Sequence, residues 1–288
     1  MAEVPASIVV KLRKMSGQGM MDCKKALEEA NGDMDKAMEI LRKKGLATLA
    51  RRAERETTEG AVVSWHSQDG KVAALATLCC ETDFVAKSDD FVQLAQNIRD
   101  YLAVAGSAQG AENVLQTIIA GKSFQEVLTE VVSRTGEKMQ VGDYMKFRIE
   151  GTGLIGTYVH FNNKVGSMVL IETSDAQVAQ APALKQAASD LAMHITASKP
   201  LALDVASVDP EVVEREKGIY AAQVQNKPPE VVKRIVEGKL KKFYSDYCLL
   251  EQPFVKDDSK TVREVLAEAA KQAGGQASVK QFVRFEVG

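Results

Sequence analysis

Residues 60–77, GAVVSWHSQDGKVAALAT, form the first copy of an internal repeat that decides the fold. Apolar and polar side chains alternate on both sides of a turn at Gln68-Asp69-Gly70, which is the pattern of two antiparallel strands. Residues 156–171, GTYVHFNNKVGSMVLI, repeat this pattern around Asn162-Asn163. Each copy therefore predicts a small antiparallel sheet.

An amphipathic helix is predicted after each hairpin, and the two helices space their apolar residues identically. The stripes consist of Phe91, Leu94, Ala95, Ile98 and Leu102 in the first copy and of Leu184, Ala187, Ala188, Leu191 and Ile195 in the second. Such spacing places the stripe on one helix face, which can cover one side of a small sheet. We therefore predict an α+β fold with two related subdomains.

Residues 5–45, before the repeat, are predicted to form three short helices. Asn31-Gly32 is expected to end the second helix, Asp33 to cap the third, and Gly45 to end it. A segment of about 40 residues buries only a modest core, so we interpret it as a compact module attached to the repeat.

A basic stretch links this module to the repeat. It contains Arg42, Lys43, Lys44, Arg51, Arg52 and Arg55. Two interpretations are open, a contact with nucleic acid and a solvated linker helix. No aromatic residue is interleaved with the charges to stack on bases, which favours the linker.

The remaining segments complete the predicted architecture. Residues 110–134 predict two further helices, residues 138–150 a strand leading into the second copy, and residues 279–287 a strand that returns to a sheet. Residues 209–247 predict two charged helices joined at Lys227-Pro228-Pro229, which suits an antiparallel helical hairpin projecting from the body.

The overall charge of the chain is close to balanced. Among 288 residues there are 37 basic and 39 acidic side chains, so the formal net charge is −2. This balance gives no general attraction to nucleic acid or to an anionic membrane, and neither is an expected partner. The longest weakly polar stretch, residues 73–80, is far shorter than a membrane span, so we expect a soluble cytoplasmic protein.

The four cysteines, Cys23, Cys79, Cys80 and Cys248, form neither a CxxC pair nor a disulfide framework. We interpret them as small apolar core residues in a reducing compartment. Cys79 and Cys80 are neighbours in a predicted strand, so their side chains point to opposite faces and do not favour a shared ion.

Motifs for catalysis or nucleotide binding are not supported by their context. Residues 151–156, GTGLIG, match GxGxxG, but a strand pattern follows them where a dinucleotide site needs a helix. A GxxxxGK[ST] phosphate loop and a GxSxG elbow are both absent from the sequence. His66, His160 and His194 lack metal-ligand spacing, and His194 is interpreted as a packed or hydrogen-bonded histidine. We expect no metal and no cofactor.

The two copies differ in the connection between sheet and helix. Their strands and helices align Thr82-Asp83-Phe84-Val85 with Asp175-Ala176-Gln177-Val178. Val85 has a valine as its counterpart, whereas Asp83 and Phe84 have no equivalent in the second copy. Phe84 is either a plug in the first core or an apolar side chain presented on a connecting loop. Asp83 is either a turn residue or part of that presented surface.

Several segments resemble the bacterial elongation factor Ts family. Residues 80–87, CETDFVAK, are similar to its TDFVA signature, and residues 16–27, SGQGMMDCKKAL, to its TGxGMMDCKKAL motif. Further matches are residues 192–200 (AMHITASKP), 237–243 (EGKLKKF), 252–255 (QPFV) and 283–288 (VRFEVG). The matches follow the order of the family and span nearly the whole chain.

The resemblance implies a UBA-like N-terminal module, two core subdomains, a helical hairpin, and the GTPase elongation factor Tu as partner. In the family, the aspartate and phenylalanine of TDFV intrude near the partner's magnesium site, and Asp83 and Phe84 match them. The resemblance also implies that Lys24 contacts the partner's GTPase domain. His160 and Val255 are further contact candidates, since the second subdomain reaches the partner's third domain.

We therefore expect a guanine-nucleotide exchange factor for elongation factor Tu, without a catalytic site of its own. Its partner-binding segment is Thr82, Asp83, Phe84 and Val85, in which Thr82 and Val85 frame the loop. The alternatives are a UBA-like binding adaptor without exchange activity and a nucleotide-dependent enzyme that uses the GxGxxG run.

The predicted domain boundaries follow from the same patterns. They are a UBA-like three-helix module at 1–46, a linker at 47–58, a core N-subdomain at 59–143, and a core C-subdomain at 144–288 with the hairpin at 209–247.

Overall fold

The structure, a computed structural model, describes residues 4–106, 109–224 and 228–288. It begins with three helices, α1 (Ala6–Ser16), α2 (Met20–Glu29) and α3 (Met34–Arg51). Their apolar stripes meet in a core around Leu12, Cys23 and Leu27, which are fully buried. As predicted, the Asp33 carboxylate caps α3 by accepting hydrogen bonds from the next amides along the chain.

The first copy of the repeat combines a three-stranded sheet with two long helices. Its elements are β1 (Glu59–His66), β2 (Val72–Cys80), α4 (Asp83–Ala86), α5 (Asp89–Val104), α6 (Glu112–Leu115), β3 (Ile118–Ile119), β4 (Lys122–Ser123), α7 (Phe124–Thr135) and β5 (Met139–Arg148). The sheet is antiparallel in the order β1-β2-β5. The helices α5 and α7 pack on each other and on this sheet, and the predicted apolar stripe of α5 lies in the core between them.

The strand predicted to lead into the second copy belongs instead to the first. It is β5, which pairs with β2 from Val72–Arg148 to Cys80–Met139. The two helices predicted between residues 110 and 134 are present as the one-turn α6 and the longer α7, and a β3–β4 hairpin that was not predicted separates them. Ala120 and Gly121 take positive φ angles of 50° and 79°, which turns the chain back at this point.

The predicted end of α3 at Gly45 is wrong, because the helix continues to Arg51. Gly45 lies where α3 packs across α7. A Cβ atom at this position would lie 2.8 Å from the carbonyl oxygen of Thr129, so only glycine allows the two helices to approach this closely. The glycine therefore serves packing, which outweighs its low helix propensity.

The second copy has the same plan with additional elements. They are β6 (Gly153–Val159), β7 (Val165–Thr173), α8 (Ala176–Gln180), α9 (Pro182–Ser198), α10 (Pro210–Ala222), α11 (Pro229–Tyr247), β8 (Pro253–Phe254), β9 (Asp257–Thr261), α12 (Val262–Gln272) and β10 (Ala277–Glu286). The antiparallel sheet has the order β10-β7-β6, so the C-terminal segment returns to a sheet as predicted. Both α9 and α12 border its core.

The two sheets face each other on the sides that the helices leave uncovered. Leu75 and Phe147 of the first sheet and Met168 and Phe285 of the second share one buried cluster. The molecule is therefore layered as helices, sheet, sheet and helices, an α+β arrangement.

The paired cysteines follow this layering. Cys80 lies in the core beneath the helices and Cys79 in the core between the sheets, which confirms that they point to opposite faces. All four cysteines are buried and unbridged, as predicted.

The helices α10 and α11 occupy the segment for which two charged helices were expected. They pack on each other, and the Lys239 ammonium lies 5.4 Å from the ring centroid of Tyr220. Leu240 is the buried residue of this pair of helices within the described chain, so most of their surface faces solvent. Lys227, in the predicted joint, lies outside the described residues.

Candidate partner-binding site

The segment from Thr82 to Val85 contains the N-cap and the first three residues of the one-turn helix α4, which follows β2. Thr82 has extended backbone angles, and its hydroxyl accepts a hydrogen bond from the Val85 amide at 3.3 Å, which makes it the N-cap of α4. Ser88 closes the turn, since its hydroxyl donates to the Val85 carbonyl at 2.7 Å and also caps α5. Two caps therefore hold the short turn in one conformation.

Phe84 extends from this turn into solvent. Its side chain is 83% exposed, whereas Val85 and Ala86 pack against the first core. The interpretation of Phe84 as a plug in its own core is therefore wrong. The fold therefore does not use the free energy of burying this ring, and a partner that covered it would gain that free energy.

Asp83 is the charged neighbour of Phe84. Its carboxylate accepts a hydrogen bond from the Lys87 ammonium at 2.8 Å, and the side chain is half exposed. This hydrogen bond and the charge of Lys87 lower the pKa of Asp83, so the carboxylate is ionised at neutral pH. An exposed ion pair of this kind is readily exchanged for another cation.

The base of the turn is tied to the start of β5. The Thr82 hydroxyl donates to both carboxylate oxygens of Glu137 at 3.0 Å. Thr82 therefore has two structural roles, as a cap and as a tether, while Val85 anchors the turn in the core. This arrangement agrees with the prediction that Thr82 and Val85 frame the loop.

The corresponding turn of the second copy has the same backbone and different side chains. Asp175 is the N-cap of α8, with its carboxylate accepting from the Gln177 and Val178 amides. Val178 is buried in the second core, as expected of the counterpart of Val85. Ala176 and Gln177, the counterparts of Asp83 and Phe84, are exposed. The copies therefore share the turn but not the apolar and acidic surface that it carries.

The other predicted contact residues lie on three separate elements. Lys24 is an exposed residue of α2 whose ammonium lies 3.8 Å from the Glu28 carboxylate. His160 follows β6, with its Nδ1 atom 3.1 Å from the Tyr158 hydroxyl. Val255 follows β8 and is 49% exposed.

The turn after His160 is connected to the first copy. The Asn163 carbonyl accepts from the Val62 amide at 2.7 Å, and Lys164 forms an ion pair with Glu59 at the start of β1. Glu59 in turn pairs with Cys80, two residues before Thr82. The β6–β7 turn and α4 thus flank the same end of the first sheet.

Phe161 is a residue that sequence reasoning did not single out. It is 87% exposed at the tip of this turn, and its ring centroid lies 4.4 Å from that of His160. The strand pairing aligns it with Gln68 of the first copy, also exposed. The sequence did contain a signal for this residue, namely an aromatic side chain in a hairpin turn that aligns with a glutamine in the other copy.

His194 is buried and occupied by hydrogen bonds. Its Nδ1 atom accepts from the Val255 amide at 3.2 Å, which leaves Nε2 to donate to the Gln252 side chain at 2.9 Å. Burial lowers the pKa of His194, against the weaker opposite effect of Gln252. This confirms the interpretation of a packed histidine, and it shows that His194 positions the backbone at Val255.

The chemistry of an enzyme is not assembled around the GxGxxG run. Gly153 begins β6, so a strand and not a helix follows the first glycines. Among residues 4–106, 109–224 and 228–288, no group of three His, Cys, Asp or Glu side chains could hold a metal ion. Within the same ranges, no helix is both long and apolar enough to cross a membrane.

The basic stretch after the N-terminal helices is occupied by internal ion pairs. Arg42 pairs with Glu126, Lys43 with Glu39, and Lys44 with Asp22, while Arg52 and Arg55 both pair with Glu81. These contacts favour the linker interpretation over a nucleic-acid site.

Comparison with known proteins gives a consistent result. The sequence model of the family described as Elongation factor TS matches residues 81–288. The chain is 42% identical over 287 residues to Elongation factor Ts of a Nitratiruptor species, which covers 99% of this chain and 93% of the relative. It is 39% identical to Elongation factor Ts of Nitratidesulfovibrio vulgaris, with 99% and 96% covered. The protein of the same name from Clostridium perfringens is 41% identical, with 99% and 93% covered.

Proposed function

The chain belongs to the elongation factor Ts family, and from this membership we propose how it acts. It is a nucleotide exchange factor for elongation factor Tu in translation elongation, working in the cytoplasm. The α4 turn enters the nucleotide site of the GTPase, where Asp83 and Phe84 disturb the magnesium ion and the phosphates and so release GDP.

The observation that carries this proposal is the exposure of Phe84 on a capped turn. Phe84 is 83% exposed, and Thr82 and Ser88 hold the backbone of its turn, so binding requires little further ordering of that backbone. Rigid scaffolds with a functional loop commonly carry their contact residues in this way. The second copy, with Gln177 at the same place, provides an internal reference without this feature.

The chemistry of the turn fits the proposed site on the partner. A GTPase holds GDP largely through phosphates neutralised by magnesium, an ion that prefers oxygen ligands and strict geometry. The ionised Asp83 carboxylate can compete for that ion or repel the phosphates once it exchanges Lys87 for a partner group. The Phe84 ring can occupy an apolar space that opens when the nucleotide site is distorted.

The energetics require both residues. Burying one phenylalanine contributes about 1.5 to 3 kcal/mol, which corresponds to about ten- to a hundredfold in an equilibrium constant. An exchange factor must bind the empty GTPase more tightly than the GDP-bound one, and GDP then weakens its binding by the same factor. Phe84 supplies part of this difference, and Asp83 and flanking contacts supply the rest.

The flanking contacts extend over the other elements. Lys24 on the N-terminal helices is proposed to touch the GTPase domain of the partner. His160 and Val255 belong to the second copy and are proposed to reach its third domain. Phe161 joins this set, because it is exposed beside His160 on a turn that is fixed to the first sheet.

We also propose a division of the chain that follows these roles. The UBA-like module extends from its predicted limit at residue 46 to Arg51, where α3 ends, residues 52–58 form the linker, and residues 209–247 form an antiparallel helical hairpin within the second subdomain. The boundary between the subdomains is moved from residue 143 to the end of β5, since that strand pairs with β2 along its length.

The test is release of fluorescent GDP from elongation factor Tu. The wild-type chain is expected to accelerate release, and Phe84→Ala to reduce the second-order rate constant about ten- to a hundredfold. Gln177→Ala is the matched control, because it truncates the exposed counterpart in the twin turn. If Phe84→Ala accelerated GDP release as much as the wild type, the proposed role of the α4 turn would be refuted.

The same assay separates the rival function. A UBA-like adaptor predicts binding to partners with no change in GDP release. The family match favours exchange, because it covers residues 81–288 and so includes the α4 turn while lying outside the three N-terminal helices.

A further inference from the structure

A largely but not fully buried carboxylate, that of Glu81, joins the linker to the start of the α4 turn. Glu81 accepts hydrogen bonds from Arg52 at 2.7 Å, from Arg55 at 2.8 Å and from the Lys138 backbone amide at 2.6 Å. Its side chain is only 11% exposed. It therefore connects three segments, namely the linker after α3, the end of β2 and the start of β5.

Lys138 strengthens the same junction from the opposite direction. Its ammonium donates to the carbonyl oxygens of Ala53 and Arg55, both at 2.7 Å. Its neighbour Glu137 holds Thr82, the N-cap of α4. The linker backbone, its two arginines and the turn are thus bound to one short stretch at the start of β5.

The electrostatics show that the junction is held by charge. Burial alone would raise the pKa of Glu81, but the hydrogen bonds from the Lys138 amide, Arg52 and Arg55 lower it to about 2. This ion pair is only partly buried, with Glu81 11% and Arg55 57% exposed, so it is a weak source of stability. Its best-supported use is to fix one arrangement of the parts that it joins.

The other end of the N-terminal module is also fixed to the first copy. The Ser133 hydroxyl lies 3.2 Å from the Gln18 side-chain oxygen, and Gly45 lets α3 lie against α7. The helices that carry Lys24 are therefore attached to the first copy at α7, while the Glu81 junction attaches the linker beside the turn. Together these contacts set the distance and angle between Lys24 and Phe84.

We propose that Glu81 is a positioning residue that holds the α4 turn in register with the N-terminal helices. Lys24 and Phe84 then reach the GTPase in a single docking event. The inference rests on the proposed function, because it assumes that both residues contact the partner. Its physical basis is effective concentration: once one contact has formed, a rigid connection presents the second without a further loss of freedom.

The first test compares three single variants in the GDP-release assay. Glu81→Gln keeps the shape of the side chain but removes the charge that holds both arginines, and it is expected to lower the second-order rate constant about two- to tenfold. Arg55→Gln removes one of the two arginines and is expected to lose less. Arg263→Gln is the matched control, because it removes another Arg–Glu pair of similar exposure, 54% against 57%, in the second copy.

The decisive test is a double-mutant cycle between Lys24→Ala and Glu81→Gln. If the junction positions the turn, Lys24→Ala costs less in the Glu81→Gln background than in the wild type, and the double variant loses about two- to tenfold less than the product of the single losses. A merely structural role for Glu81 lowers the melting temperature and gives losses that multiply. Multiplying losses would therefore overturn the proposal.

Two further arms keep the result unambiguous. Should Glu81→Gln fail to fold, Arg55→Gln takes its place in the cycle, with a smaller coupling of the same sign expected. Phe84→Ala is measured in parallel. Loss of exchange in Phe84→Ala together with multiplying Lys24 and Glu81 effects refutes the positioning role alone, whereas unchanged exchange in Phe84→Ala refutes the proposed function of the turn.

Discussion

The α4 turn of the first copy and the α8 turn of the second share a backbone and differ in what they present. Each follows the central strand of its sheet, begins at a side-chain cap, Thr82 or Asp175, and packs a valine against its own core, partly buried in the first copy and fully in the second. Only the first presents an acid and a phenylalanine. On the proposed function, the common fold supplies the position of the turn, and these two side chains supply the contact with the partner.

The hairpin turns show the reverse relation. Phe161 in the second copy is aligned with Gln68 in the first, whereas Phe84 in the first copy is aligned with Gln177 in the second. Each copy thus carries one strongly exposed phenylalanine where its twin has an exposed glutamine. The comparison suggests that both copies contribute to the partner surface, at different places.

Replacing Phe161 by the residue of its twin is the largest effect expected from this comparison. Phe161→Gln should weaken binding to nucleotide-free elongation factor Tu by about tenfold or less, since the ring is expected to be only partly buried on binding. The melting temperature should not change, because the side chain is 87% exposed in the free chain. Isothermal titration with Gln68→Ala as control measures this. Wild-type affinity would confine the apolar contact to Phe84.

Removing the two N-caps tests whether the α4 turn acts in nucleotide exchange while the α8 turn has only a structural role. Thr82→Ala and Asp175→Ala should each lower the free energy of unfolding by about 0.5 to 2 kcal/mol, the usual cost of a lost N-cap. Only Thr82→Ala should also slow GDP release, because the partner must then order a frayed turn. Chemical denaturation and the release assay give the two quantities. An equal loss of exchange in Asp175→Ala would contradict the division of roles.

The sequence predicted the repeat well, because apolar spacing is a local property of a helix or strand. It placed the stripe of α5 and the alignment of Thr82 with Asp175 correctly, and both depend on residues close together in the chain. It failed for Gly45, since a glycine that ends a helix and one that permits helix packing look the same without the partner helix α7. It also described β5 as leading into the second copy, although the strand pairs with β2 of the first, because strand patterns do not reveal pairing partners.

The candidate site was predicted only in part, because sequence patterns report local features and not contacts between distant segments. Family resemblance identified Asp83 and Phe84, but the exposure of Phe84 depends on how the turn is capped and on what fills the core beneath it. Glu81 was missed as a junction, because Arg52 and Lys138 lie far from it in sequence and meet only in the fold. Contacts between distant segments are what periodicity and local motifs do not encode.

The smallest expected effect compares the aligned pair Tyr101 and His194 in the two core helices. Both are buried, and each bonds to a segment outside its helix, Tyr101 to the Lys122 carbonyl and His194 to Gln252 and the Val255 amide. Burial raises the pKa of Tyr101, which stays neutral, and lowers that of His194 from its ordinary value of 6.5. Of these two groups, only the one in the second copy therefore responds to mild acid.

The sign of the His194 effect follows from linkage. Because its pKa is lower in the folded state, the unfolded chain binds the proton first as pH falls. The stability contribution is complete above the unfolded pKa and declines below it, with a slope of at most about 1.4 kcal/mol per pH unit until the folded pKa is passed. Protonation of Nδ1 would also remove the acceptor of the Val255 amide and so release a proposed contact residue.

Melting temperatures measured from about pH 7.5 to about pH 5.5 should fall more steeply for the wild type than for His194→Gln. Parallel curves would mean that His194 does not distinguish the second copy from the first.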